Sequence, residues 1–377
     1  MRVLHLVKTS VGATWAYRQM SELVKRGVEV HVALPTAGGL ETQYRQAGIK
    51  VHLAHTGFSI THPTRSLRAI RQLRALVAAV QPDMVHSHFV STTLTMRLGL
   101  RSNPIPRVFQ VPGPLHLESP FFKRAELATR GQQDYWIGSC QWTSATYRQA
   151  GIPADHVFMS FYGTDIPEHT PSSYTLRAEL GLPAETRIAG IVAYMYAPKR
   201  YLGQTRGLKG HEDLIDALAL CRSHGLPITG VLVGGAWNNA KGYEHQVREY
   251  GRSRLGEHAI FLGTRYDVLQ LYGDFDVAVH PSHSENLGGA VESMMLGIPT
   301  ITTNVGGFPD IIKDNETGWL VPPKSPAALA AKIEHVLAHP DEARACAVRG
   351  QTLVRHELDV RRTAGQVYDI YQRILSG

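Results

Sequence analysis

Strand-like runs alternate with helical stretches along the whole chain, and no other feature constrains its fold as strongly. The first series of short apolar, β-branched runs is Val3–Val7, Glu29–Leu34, Lys50–Ala54, Met84–His86, Arg107–Val111 and Tyr135–Ile137. Between them, Trp15–Arg26 reads as a helix closed by Gly27. Arg65–Val80 reads as another, with Leu67, Ile70, Leu73 and Val77 on one side. A second series follows at Ile188–Val192, Ile228–Val233, Ala259–Phe261, Val277–His280 and Thr300–Thr302, with helices at His211–Cys221 and Gly289–Met295. Polar helices at Pro326–Leu337, Glu342–Arg355 and Arg361–Ile374 close the chain. Such alternation predicts parallel sheets covered by helices on both faces. Two series separated by a stretch holding Pro167, Pro171, Ser172 and Ser173 predict an α/β chain of two doubly wound, Rossmann-like domains joined by a linker. They are expected to face each other across a cleft at the carboxyl ends of their strands, where ligands of such folds bind.

Length agrees with two domains, because 377 residues exceed the ~250–300 at which one core usually divides. With 43% hydrophobic and 19% charged residues, disorder and collagen-like repeats are excluded. Cys140, Cys221 and Cys346 lie far apart and form no CxxC pair, so neither a disulfide framework nor a zinc module is legible. No apolar run approaches the ~18 residues that cross a bilayer, and Met1–Val7 reads as a strand rather than a signal peptide. A cytoplasmic protein is expected. Charge is uneven: residues 1–165 carry 18 Lys and Arg against 9 Asp and Glu, a net +9, whereas residues 166–377 carry 21 against 23, a net −2. That asymmetry points to an anionic partner for the first half. Nucleic acid is not that partner, since no recognition module or aromatic–basic interleaving is present.

The stretch Val277–Pro323 carries the most chemistry. A strand ends at His280, and Leu287-Gly288-Gly289 then opens a short helix whose backbone amides can approach an anion. Glu292, one turn inside, can accept two hydrogen bonds from vicinal hydroxyls such as a ribose diol. A second glycine turn, Asn304-Val305-Gly306-Gly307, ends the next strand.

Pro-Ser-x-x-Glu, Glu-Ser-Met-x-x-Gly-x-Pro, Val-Gly-Gly-x-Pro-Asp and Thr-Gly-x-Leu-Val-Pro-Pro in this stretch resemble the donor segment of the family 4 retaining glycosyltransferases. Those enzymes have the two-domain GT-B fold and include bacterial makers of surface polysaccharide. Upstream, Lys209-Gly210-His211-Glu212, Val233-Gly234-Gly235, Phe261-Leu262-Gly263, Tyr162-Gly163-Thr164-Asp165 and Asp83-Met84-Val85-His86 extend the resemblance over nearly the whole chain.

The resemblance implies an acceptor-binding domain, residues 1–165 joined by a C-terminal helix near 357–377, and a donor-binding domain, residues 166–356. It implies transfer of a hexosyl group, with retention, from a nucleotide-diphosphate sugar to an acceptor hydroxyl in glycan or polysaccharide assembly. UDP is the favoured carrier and neither cofactor nor metal is required. Lys209 falls on the family's diphosphate lysine and Glu292 on its ribose glutamate. Leu287, Gly288, Gly289, Gly263, Thr264 and Gly234 fall on the nucleotide and phosphate turns. In the first domain, Gly12 falls on a phosphate-approaching turn and His116 resembles a cleft histidine; His86 and His88 read as satisfied sheet-end residues. Glu285 stands nearest the glutamate that contacts the donor sugar, so Glu285, His116 and Lys209 are the expected catalytic set.

Two departures stand out. The family spaces its glutamates by seven residues, but Glu285 and Glu292 are separated by six, and Ser284 occupies the strict register. Either a shortened loop still brings Glu285 to the sugar, or Ser284 and a backbone amide substitute; the first is preferred, because loops absorb deletions more easily than a carboxylate is replaced. The partner arginine is also missing, Tyr194 standing in its place, and Arg206 is the expected substitute. Asp274-Phe275-Asp276 spells a metal-binding DxD but reads as a strand entry. The main alternative is a nucleotide-sugar-binding protein of this fold with little or no turnover; a nucleotide-sugar epimerase is disfavoured. Arg65, Arg68, Arg71 and Arg74 step along one helix. They read as a solvated surface, or as a dock for an anionic membrane surface or lipid-linked acceptor on its inner face.

Overall fold

The computed structural model describes residues 1–166 and 175–377, so the linker residues Pro167, Pro171, Ser172 and Ser173 lie outside what is described. The chain divides into two compact units, Met1–Asp165 with Glu357–Gly377, and Ile166–His356. The returning C-terminal residues carry three cations and three anions, so the first unit keeps the whole positive surplus.

Among the described residues the strands form two sheets, all parallel. The first holds β1 (Arg2–Leu6), β2 (Glu29–Leu34), β3 (Lys50–Leu53), β4 (Met84–Ser87), β5 (Arg107–Val111), β6 (Asp134–Gly138) and β7 (Val157–Met159), in the order β3-β2-β1-β4-β5-β6-β7. The second holds β8 (Arg187–Val192), β9 (Ile228–Val233), β10 (Ala259–Gly263), β11 (Val277–His280), β12 (Thr300–Thr303) and β13 (Trp319–Val321), in the order β10-β9-β8-β11-β12-β13. Both are doubly wound, and the order reverses between β1 and β4 and between β8 and β11. At such a switch point the flanking helices diverge and leave a crevice beyond the strand ends. The edge strands β7 and β13, each paired along one side only, are additions to the sequence reading.

In the first unit, Val3, Met20, Leu23, Val30 and Met84 build one core. The helix Val360–Ser376 closes it with Val367, Ile370, Tyr371 and Ile374, all buried. Burying each such side chain contributes about 1.5–3 kcal/mol, so this last helix belongs energetically to the first sheet. Its start lies on Gly163, where a Cβ would stand 2.5 Å from the Cα of Val360, so glycine there is required by backbone contact. Helix Pro63–Val80 corrects one expectation. Ser66, Ala69, Leu73, Val77 and Val80 are its buried face, whereas Leu67 is 56% exposed. Arg65, Arg68 and Arg71 are exposed, and the Arg74 Nε donates to the carbonyl of Gly99 at 2.7 Å.

In the second unit, Ile191, Leu214, Leu218, Val279 and Ile301 centre the core. The DxD residues are structural. Asp276 accepts from the Ile188 amide at 2.8 Å and from Arg177 and Arg187 at 2.8 and 3.0 Å, and Asp274 accepts from the Arg177 amide at 2.9 Å. Among the described residues no helix is long and apolar enough to cross a membrane.

Candidate functional site

Beyond the ends of β8 and β11 lies a cavity of about 310 Å³ within the second unit. Lys209 enters it from the turn before helix His211–Ser223. Gly210 makes that turn possible: its φ is +71°, and a Cβ would stand 2.0 Å from the carbonyl oxygen of Pro281. The turn therefore lies directly on the loop after β11. The His283 amide donates to the carbonyl of Leu208 at 2.8 Å and fixes the two segments together.

That contact brings Lys209 to Glu285. The ammonium donates to the Glu285 carboxylate and lies 5.7 Å from the centre of the Tyr196 ring. Burial, helped by the Glu285 charge, pushes the Tyr196 phenol up to about 12, so it stays neutral beside the pair. Glu285 also accepts from the Asn286 amide at 3.1 Å. It is Glu285 that lines the cavity; Ser284, in the stricter register, is buried and does not. Glu292 lines it from the first turn of helix Ala290–Met295. Gly234, Thr264 and Gly289 line it too, whereas Gly263, Leu287 and Gly288 support the adjoining turns.

Arg206 is placed differently from the expectation. Its guanidinium donates to Asp213 at 2.5 Å and Asp216 at 2.7 Å, and it does not line the cavity. Arg265 does line it, and sequence reasoning missed this residue. Its guanidinium is braced by Asp267 and Glu179 at 2.6 and 2.8 Å. The available signal was its position directly after the Gly263-Thr264 turn, at a sheet end. Tyr194 and Tyr196 also line the cavity, and Trp237 packs on both with ring centres 5.2 and 5.5 Å away. His280, buried at the end of β11, shares a hydrogen bond of 3.2 Å with Ser293; burial, helped by Lys209, pushes it down to about 3.

The other expected residues belong to the first unit. Gly12 lies in the turn after β1 with φ +86°. The His116 Nε2 bonds the Tyr147 hydroxyl at 3.2 Å, and burial pushes this histidine down to about 4. His5 and His86 are register partners on β1 and β4 and, with His88, form a fully buried group. His88 bonds the Tyr162 hydroxyl at 2.8 Å and His5 at 2.9 Å, and His86 bonds the Tyr371 hydroxyl. His88 is thus satisfied, whereas the Nε2 atoms of His5 and His86 have no partner, which corrects the reading of His86.

A fixed cation beside two carboxylates in a half-enclosed cavity suits a ligand with both an anionic group and hydroxyls. The ammonium meets the anion, and the carboxylates accept from the hydroxyls.

Comparison with known proteins agrees. The model described as Glycosyltransferase Family 4 matches residues 12–165, and that described as Glycosyl transferases group 1 matches residues 200–352, together more than three quarters of the chain. The sequence is 30% identical over 180 residues to the D-inositol 3-phosphate glycosyltransferase of Mycolicibacterium gilvum, covering 47% of this chain and 38% of that protein. It is 29% identical over 180 residues to the glycogen synthase of Mycobacterium tuberculosis, covering 45% and 41%. The chain spans about half the length of the sequence relatives it matches. In structure it is similar to Anabaena HepE crystallised with UDP-glucose, with TM-score 0.80, 21% identity and 99% of each chain covered. It is equally similar to sucrose-phosphate synthase of Thermosynechococcus elongatus, at TM-score 0.80, 21% identity and 100% coverage of each chain. At these identities the likeness is one of fold.

Proposed function

This chain belongs to the family 4 glycosyltransferases of GT-B fold, and from that premise we propose that it moves a hexosyl group from a UDP-sugar to an acceptor hydroxyl with retention of configuration. The observation that carries the proposal is the cavity at the β8–β11 switch point, which gathers Lys209, Glu285 and Glu292. In this reading the donor diphosphate takes Lys209 away from Glu285. The ammonium then meets charge that grows on the leaving diphosphate, so its attraction is strongest in the transition state. Glu285, released, accepts from donor-sugar hydroxyls, and Glu292 accepts from the ribose diol. Lys209 and the backbone amides of the glycine turns carry the charge stabilisation, with no metal or cofactor assigned. Asp274 and Asp276 take no part, because arginines and backbone amides already hold them.

The acceptor belongs to the first unit, with His116 and the turn at Gly12. Exposed Arg65, Arg68 and Arg71, with exposed Leu67 among them, support an acceptor presented at an anionic membrane surface. This reading places the protein in the cytoplasm, peripheral on the inner face of the membrane and engaged in glycan or polysaccharide assembly. Liposomes with and without anionic lipid test the surface; equal co-sedimentation at low salt rejects it.

Incubation with UDP-, GDP- and ADP-sugars and a panel of acceptors tests the reaction. Acceptor-dependent release of UDP, with the donor's anomeric configuration kept in the product by NMR, is expected. A second reading, a nucleotide-sugar binder without turnover, draws on the engagement of Arg206 away from the cavity. Tight UDP-sugar binding with no UDP release would favour it.

A further inference from the structure

Beside the cavity, and outside its lining, an ion chain runs from the loop after β11 into helix His211–Ser223. The Nε2–H of His283 donates to one oxygen of Asp213 at 2.5 Å, and Arg206 donates to the other at 2.5 Å. Arg206 continues to Asp216 at 2.7 Å, and Asp216 accepts from the Tyr250 hydroxyl at 2.5 Å and faces Arg254 at 3.3 Å. Asp213 is 3% exposed, so both its oxygens are committed in a dry environment where such bonds are strong. Hydrogen bonds from His283 and Arg206 outweigh burial and hold its carboxyl below the ordinary range.

The placement of these residues gives the chain its meaning. Arg206 and Asp213 flank Lys209, one turn before and one turn after it, and His283 precedes Glu285 by two residues. Asp213 thus ties the segment that carries Lys209 to the loop that carries Glu285. The hydrogen bond from the His283 amide to the Leu208 carbonyl and the contact of Gly210 with Pro281 fix the same two segments on the cavity side. The backbone contacts set how closely the segments approach. The ion chain sets how they are turned about that contact, because the rigid fork of Arg206 bridges two carboxylates one helical turn apart.

We propose that Asp213, clamped by His283 and Arg206, is a positioning residue that sets where Lys209 stands relative to Glu285. This rests on the transferase reading above. Displacement of a catalytic group by about 1 Å costs about 10²-fold in rate. Loss of the clamp therefore appears mainly in kcat, where the attraction of Lys209 is strongest, with a smaller rise in donor KM because Lys209 also meets the donor diphosphate.

A double-mutant cycle tests it, with Asp213→Asn and Lys209→Met measured singly and together by UDP release, and thermal midpoints followed in parallel. Asp213→Asn is expected to lower kcat by about 10- to 100-fold with a smaller rise in donor KM. In the Lys209→Met background the same change is expected to lower kcat by no more than about twofold. Arg206→Lys, which keeps the charge but loses the fork at a partly exposed site, gives the same pattern more weakly and serves if Asp213→Asn does not fold. An equal loss in both backgrounds, or a lowered thermal midpoint with unchanged kcat, overturns the clamp alone. A wild-type chain that turns over no nucleotide sugar overturns the transferase reading and the clamp with it.

Discussion

The two units share one architecture, yet they furnish their switch points differently. Beyond β8 and β11, the second unit assembles alternating ions: Lys209 against Glu285, Arg265 against Asp267, and Arg206 against Asp213 behind them. Near the ends of β1 and β4, the first unit assembles neutral rings: His5 bonds His88, His88 bonds Tyr162, and His86 packs on both histidines and bonds Tyr371. The net charges run the other way, +9 for the first unit and −2 for the second. Surface charge and site charge are therefore independent: the first unit wears its cations on exposed helices, whereas the second brings a few of them into a cavity. An ionic cavity suits a ligand that carries an anionic group, whereas the histidine group is fully buried and belongs to the core of the first unit.

The largest effect is expected where the ionic site is broken. Lys209→Met removes the cation that donates to Glu285 and is expected to lower kcat/KM by about 10²- to 10³-fold, the range for losing a donor aimed at developing charge. UDP release measures it, and a loss below tenfold would take Lys209 out of the chemistry. Next, Glu292→Gln replaces a charged acceptor with a neutral one. It is expected to raise the Kd for UDP by about 10-fold, since hydrogen bonds to charged groups are worth about 1.5–3 kcal/mol. Titration of UDP and of 2′-deoxy-UDP into both proteins assigns the effect to the ribose if only the UDP affinity falls.

The buried histidine group is tested by acid. Burial pushes His88 from its ordinary 6.5 down to about 3, so the unfolded chain binds this proton first. Stability from His88 is full above pH 6.5 and is lost as pH falls toward 3; at pH 5 the loss is about 2 kcal/mol. His5 and His86, lowered by burial and by neighbouring histidines, act in the same direction. Urea midpoints at pH 7.5 and 5 are expected to differ less for His88→Gln than for the wild type, and an identical difference would contradict the buried-neutral account. The smallest functional effect belongs to Asp276→Asn, expected to lower stability by about 1–3 kcal/mol through the amide and arginines it leaves unpaired. Its turnover per folded molecule, with or without chelator, is expected to stay unchanged.

Much of this was legible in the sequence because periodicity and glycine turns are local. Both doubly wound units, the turn at Lys209-Gly210 and the entry of Asp276 into β11 could be read from residue order. Side-chain direction could not. Arg206 lies three residues from Lys209, but Asp213 and Asp216, spaced one turn apart on the next helix, draw its guanidinium away from the cavity. Leu67 continues the apolar spacing of its helix, yet the buried stripe lies on Ala69, Leu73 and Val77. The edge strands β7 and β13 were not read, although runs as short as Tyr135–Ile137 were. Arg265 was hidden for another reason: its use depends on Glu179, which is remote in sequence and braces it beside a turn.

Isothermal titration of UDP into the wild type and Lys209→Met tests the central claim most directly, because it reads the Lys209 cavity without any acceptor. Saturable binding to the wild type, weakened at least tenfold in the variant and more sensitive to salt in the wild type than in the variant, is the predicted result. Equal UDP affinity in the two proteins would contradict it.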